Sequence, residues 1–138
     1  MADELIMGID AGTSRVRVLV FEMDGTVVAQ GSSEPKVDRP NPGWASTESE
    51  DLWSSCLEAM KVAVSDVTHP KRIRSIAVAS VGEAAVPLDG KGEPLYPMIA
   101  WYDARTADQV KRLEQKIGKQ RLFDMTGLYP YPFLEICK

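Results

Sequence analysis

MGIDAGTSRVRVLVF, residues 7–21, decides how the rest of the chain is read. One apolar run ends at Asp10, an Ala-Gly-Thr-Ser turn follows, and a second apolar run starts at Val16. Arg15 and Arg17 lie just after the turn. The flanking runs predict strands over Leu5 to Asp10 and Val16 to Glu22, the second rich in β-branched residues. A plain hairpin turns on Asn-Gly or Asp-Gly and needs nothing else. Here Gly12 lets backbone approach a ligand with no Cβ in the way. Thr13 and Ser14 add hydroxyl donors, and successive N–H groups in such a turn make an anion-binding concavity. Asp10, at the strand end, suits a water-mediated contact to Mg²⁺. The turn lacks the Gly-Lys-Ser/Thr ending of a P-loop, and a strand follows it instead of a helix. Two readings stand here: a phosphate-binding hairpin, and a polar hairpin with a capped turn.

Working outward, Asp24-Gly25 marks a second hairpin, and Thr26 to Gln30 reads as the third strand. Residues 31–46 read as a loop rich in Ser, Pro and Gly. Thr47 and Glu50 fit a capping box, which predicts a helix to about Val67. Its apolar residues Trp53, Cys56, Leu57, Met60, Val64 and Val67 share one face by spacing. Ile73 to Ser80 reads as a fourth strand, after a crossover long enough to make it parallel to the first. Ala84 to Leu88 is a predicted fifth strand ended by Asp89-Gly90, and Met98 to Trp101 is short and extended. A second helix is expected from Ala104 or Thr106, with Val110, Leu113 and Ile117 inward and Gly118 at its end. Arg121 to Met125 is expected to form a last helical turn. This order suggests an α/β chain with one mixed sheet and flanking helices, which resembles the ribonuclease-H-like arrangement of actin-like ATPases.

Composition narrows the function classes. The 138 residues carry a net charge of −4, which offers no broad basic field for nucleic acid. Cys56 and Cys137 form neither a disulfide framework nor a zinc pattern, which fits a reducing cytoplasm. The N-terminal stretch has acids where a signal peptide carries basic residues, and no apolar run approaches membrane-spanning length. His69, in HPKRIR, reads as solvated and has no neighbours for a metal site. Lys71, Arg72 and Arg74 read as a wet strand edge, and Trp44 and Trp53 as packing. Cys56 reads as inert on the helix face, and Cys137 as exposed in the tail.

Four stretches in order carry a resemblance. They are MGIDAGTS at the front, PNPGWASTESEDLW at 40–53, GEPLYP leading into IAWYDARTADQ at 99–109, and TGLYPYPF at 126–133. Together they resemble the FGGY family of carbohydrate kinases over nearly the whole chain, from Met7 to Lys138. The resemblance implies that the hairpin is the ATP-phosphate loop. Asp10 takes the metal-associated position, and Gly12, Thr13, Ser14 and Arg17 the phosphate contacts. ASVGEAAVPLD, residues 79–89, matches the strand and loop that touch the sugar. Gly82 stands there where glycerol kinases have arginine, and Glu83 is retained. The Met-His of xylulokinases is absent as well. Trp101 matches a tryptophan that packs on the substrate's carbon face, and Phe133 a substrate-contacting aromatic. Asp103 and Arg105 complete a Trp-x-Asp-x-Arg pattern, and the resemblance puts Asp103 among the substrate-binding residues. Each has a plainer alternative: Glu83 as a loop carboxylate, Trp101 as core, Asp103 with Arg105 as a helix cap and surface ion pair.

The implied reaction moves the γ-phosphoryl of ATP to a hydroxyl of a sugar, sugar acid or polyol, with Mg²⁺ as cofactor. The family's general base is an aspartate beyond residue 138, and its adenosine pocket lies in a second domain. Residues 1–138 are therefore expected to be an incomplete N-terminal sugar-binding domain, inactive alone. Its uncovered sheet edge is expected to favour self-association. Two rivals share the fold: a metal-dependent nuclease, which needs several acids around Asp10, and a non-catalytic nucleotide-binding scaffold.

Overall fold

The computed structural model describes residues 4–132, 134, 137 and 138. In chain order the elements are β1 (Leu5–Ala11), β2 (Val16–Glu22), β3 (Val27–Ser33), β4 (Ser46–Thr47), α1 (Ser49–Ser65), β5 (Ile73–Ser80), β6 (Met98–Ile99), α2 (Ala107–Ile117) and α3 (Lys119–Thr126). They belong to two compact units, Met1–Val37 with Glu48–Val81, and Asp38–Thr47 with Gly82–Lys138.

The first unit holds a four-stranded sheet in the order β3-β2-β1-β5. β1 and β2 are antiparallel, as are β2 and β3, and β5 runs parallel to β1 as its crossover predicts. Alternation sends Leu5, Met7, Ile9, Val16, Val18, Val20 and Ala29 to one face. There they form the core with Ala59, Ala63 and Val67. Each fully buried Leu or Val on this face contributes about 1.5–3 kcal/mol, so this layer is the main stabiliser of the unit.

Helix α1 differs from its prediction at both its start and its buried face. Its N-cap is Glu48, with no side-chain cap bond. Thr47 is committed to β4, where it pairs with Met98, so the expected Thr47–Glu50 capping box does not form. The buried stripe is Ser55, Ala59 and Ala63, flanked by Leu52, Cys56, Met60 and Val64. Trp53 lies off that stripe and is 57% exposed. Small residues face the sheet because the helix sits very close to it. The third strand runs past the predicted end at Gln30 to Ser33, because Gly31, Ser32 and Ser33 pair with Val18, Arg17 and Val16 of β2. A Cβ on Gly31 would lie 2.1 Å from the Ala59 carbonyl oxygen and 2.7 Å from the Ala63 nitrogen. The Gly-Ser-Ser stretch, which reads as loop, is the strand that admits the helix.

α1 packs chiefly on β3 and β2. β5 is an edge strand with Ile76 and Val78 well exposed, the latter at 68%. The expected wet edge beside it is ion-paired, with Arg72 4.0 Å from Glu22 and Arg74 3.9 Å from Glu4.

The second unit is built on the antiparallel pair β4–β6. The predicted strand Ala84–Leu88 is absent, and the segment makes a single bridge between Leu88 and Pro94. Pro87 has no N–H to give a ladder, and Asp89 closes a local turn by accepting the Lys91 and Glu93 N–H groups. The extended stretch expected to Trp101 stops at Ile99, where the chain turns. α2 starts after Thr106, and Gly118 separates it from α3, a full helix where one turn is predicted. Of the expected inward trio, Val110 and Leu113 are half-buried and Ile117 is exposed. Cys137 is buried at 3%, against the expected exposure, and its N–H donates to the Leu134 carbonyl at 2.9 Å. Among the described residues no helix is long and apolar enough to cross a membrane.

Candidate functional site

The hairpin register sets Asp10 opposite Arg17. Both side chains are more than half exposed, and the Arg17 Nη1 lies 3.6 Å from the Asp10 Oδ2. Arg15 turns away to pair with Glu34. Of the two arginines, only Arg17 stands beside Asp10. The turn between them is closed tightly: a Cβ on Gly12 would be 2.7 Å from the Arg15 carbonyl oxygen. Thr13 is buried within the turn and Ser14 is exposed. Asp10, Arg17, Leu19, Phe21, Gly8 and Ala79 border an open hollow of ≈ 360 Å³.

The strand beside Asp10 carries no acid. Its partner on β5 is Ala79, and the Ser80 hydroxyl donates to the Ala11 carbonyl at 3.0 Å. Among the described residues no group of three or more His, Cys, Asp and Glu side chains could hold a metal ion. A nuclease using two metals would need such a group.

In the second unit, Gly82 is exposed with open space about it, and Glu83 is half-buried. Glu83 borders an apolar hollow of ≈ 200 Å³ with Leu113, Leu122, Leu128 and Pro130. Trp101 is 46% exposed and packs edge-on to Tyr102, with ring centroids 5.5 Å apart. Phe133 lies outside the described residues.

Asp103 is buried at 1%, and its carboxylate is fully engaged within its own unit. Oδ2 accepts the Ala45 N–H and Arg105 Nη2, and Oδ1 accepts the Arg105 N–H at 2.7 Å and Nε at 3.0 Å. The Arg105 guanidinium also donates to the Tyr96 hydroxyl at 3.2 Å and lies 4.5 Å from the Trp44 ring centroid. The predicted helix cap is not made, because α2 starts at Ala107 with no side-chain cap bond. The predicted ion pair is made, and it is buried instead of lying on the surface. Trp44 packs as expected, with Arg105 over its ring, but the parts played by the Ala45 peptide and Tyr96 went unforeseen. Only the Pro-Gly-Trp signature hinted at them.

Burial of Asp103 opposes ionisation, but Arg105 and the Ala45 and Arg105 N–H groups outweigh it and hold the carboxyl below its ordinary value. A depressed native pKa gives stability that is full above the unfolded pKa and lost as pH falls through the folded one. Urea midpoints of the second unit are expected to fall from about pH 5 downward. Asp103→Asn is expected to flatten that acid limb, and an unchanged limb would remove Asp103 from it. Burial pushes the Cys56 and Cys137 thiols up, which keeps them protonated and unreactive.

The family model of the N-terminal domain of the FGGY family of carbohydrate kinases matches residues 5–138. The glycerol kinase of Leifsonia xyli subsp. xyli is 34% identical over 128 residues, covering 91% of this chain and 25% of that protein. The glycerol kinase of Thermococcus gammatolerans is 28% identical over 137 residues, covering 99% and 28%. The xylulose kinase of Rhodospirillum rubrum superposes with a TM-score of 0.86 at 26% identity, covering 95% of this chain and 27% of that one. The gluconate kinase of Lactobacillus acidophilus shares the fold, with a TM-score of 0.85 at 20% identity over 94% of this chain and 26% of that one. The chain thus spans about a quarter of the length of the proteins it matches. Its mixed sheet with α1 packed on one face belongs to the actin-like ATPase fold of these kinases. With the match running from Leu5 to the last residue, the chain belongs to the FGGY family of carbohydrate kinases.

Proposed function

We propose that the protein carrying this chain transfers the γ-phosphoryl group of ATP to a hydroxyl of a sugar, sugar acid or polyol. The observation that carries this reading is the β1–β2 hairpin, with Asp10 and Arg17 side by side and a turn too tight for any side chain at position 12. Phosphoryl transfer is mostly positioning and charge neutralisation. The Gly12–Ser14 N–H groups, the Ser14 hydroxyl and Arg17 bind the phosphate oxygens. One exposed carboxylate is no cage for a divalent ion, but it fits Mg²⁺ carried by the phosphates, with Asp10 reaching it through water. Bound there, Mg²⁺ would neutralise charge on the phosphoryl oxygens. In the second unit, Glu83 accepts hydrogen bonds from sugar hydroxyls, and Trp101 offers its face to the sugar's C–H side. Gly82 and Phe133 join that contact on motif grounds. Cytoplasmic placement and self-association belong to the same reading.

The test uses the full protein from its source, with its intact mass measured first. ADP release is followed with glycerol, xylulose and gluconate as acceptors. One acceptor is expected to stimulate release in Mg²⁺, and Gly12→Ala to lower it about a hundredfold. ATP binding with no stimulation by any acceptor would turn the reading to a nucleotide-binding scaffold.

A further inference from the structure

On the reading just proposed, we infer that Asp103 and Arg105 are positioning residues for sugar recognition, which act through Trp101 without touching the sugar. Trp101 and Tyr102 are the two central residues of a turn closed by the Asp103 N–H on the Ala100 carbonyl, at 3.0 Å. The two ends of that turn, Ala100 and Asp103, are buried at 2% and 1%. Both are pinned to the same residue. The Ala100 N–H donates to the Ala45 carbonyl at 3.0 Å, and the Ala45 N–H donates to the Asp103 carboxylate. The turn cannot tilt without breaking a bond to Ala45.

Arg105 backs this arrangement. Its planar fork grips both Asp103 oxygens, and its flat face lies on Trp44, the residue next to Ala45. Immediately beyond the turn, the Ala104 N–H donates to the Gly43 carbonyl at 3.0 Å. The strap at 43–45 and the turn at 100–105 are thus locked together on both sides of Trp101. Four N–H donors fill the Asp103 carboxylate, about the number its lone pairs accept. No capacity is left for a sugar hydroxyl. What the lock presents outward is the pair of rings at Trp101 and Tyr102, held at 89° to each other. A rigid aromatic face needs no ordering when a ligand's C–H face meets it.

The test is a double-mutant cycle in the full protein, assayed with the acceptor that supports ADP release. Arg105→Lys keeps the charge and removes the fork and the flat stack. It is expected to raise the KM for the acceptor about tenfold, with the KM for ATP held within about twofold. Asp103→Asn is expected to shift the same constant in the same direction. In a Trp101→Ala background, which raises the acceptor KM by itself, Arg105→Lys is expected to add almost nothing, because both changes remove one interaction. Full additivity, an unchanged acceptor KM, or an equal rise in both KM values would overturn the positioning role. If no acceptor stimulates ADP release by the unmodified protein, the kinase reading itself fails, and the sugar role falls with it.

Discussion

Replacing Gly31 with alanine is expected to destabilise the first unit by about 3 kcal/mol, the upper part of the range for overpacking. The added Cβ would meet the Ala59 carbonyl oxygen at 2.1 Å and the Ala63 nitrogen at 2.7 Å. Both are helix backbone atoms, so no side chain can rotate to make room. The helix must move off the sheet, or β3 must bend away from it. Either change reaches the hairpin, because Ser32 pairs with Arg17 on β2. On the function proposed above, ATP affinity is expected to weaken along with stability. For a unit of this size each kcal/mol shifts the melting temperature by about 4–8 °C, so it should fall by roughly 12–24 °C. Gly8→Ala is the control. Its Cβ would meet only the Phe21 ring edge at 3.6 Å, an ordinary contact. Urea denaturation of both variants checks this. Equal midpoints for the two would mean that the close approach of helix and strand carries no energetic weight.

Asp103→Ala is expected to cost about 3–5 kcal/mol in the second unit. The Arg105 side chain is only 10% exposed and would lose its counter-charge. The Ala45 N–H would lose its acceptor. Asparagine keeps the shape but faces the guanidinium with its own N–H₂, so it should fall between wild type and alanine. Among the described residues every buried side-chain polar atom has a partner. The alanine variant would break that state in one step, since an unmet buried group costs more than a made bond contributes. Tyr96→Phe tests the rim of the same cluster. It removes one bond of 3.2 Å from an exposed position and should cost under about 1 kcal/mol. A loss as small in Asp103→Ala as in Tyr96→Phe would count against the buried lock.

What the sequence could decide alone was whatever rests on local period and turn chemistry. β1, β2 and β5 alternate or run apolar between clear turn signals, so their existence and the parallel crossover were legible. The hairpin with Asp10, Gly12 and Arg17 was legible for the same reason, since adjacent strands of an antiparallel pair bring near neighbours in sequence face to face. The motif order also pointed to the family that residues 5–138 match.

Tertiary structure decided the rest, wherever a residue's role depends on a distant partner. Gly31 looked like loop because its small size answers to a helix about thirty residues on, which local pattern cannot contain. Trp53 looked like core because its spacing fits, but close approach favours Ala59 and Ala63 on the sheet side. Thr47 looked like a cap until Met98 claimed its backbone. Asp103 stands among the substrate contacts only through the motif it shares with Trp101. Its carboxylate is filled by Arg105 and by Ala45, a residue 58 positions away. A sequence displays which groups can donate and accept, but only the fold shows which of them are already satisfied.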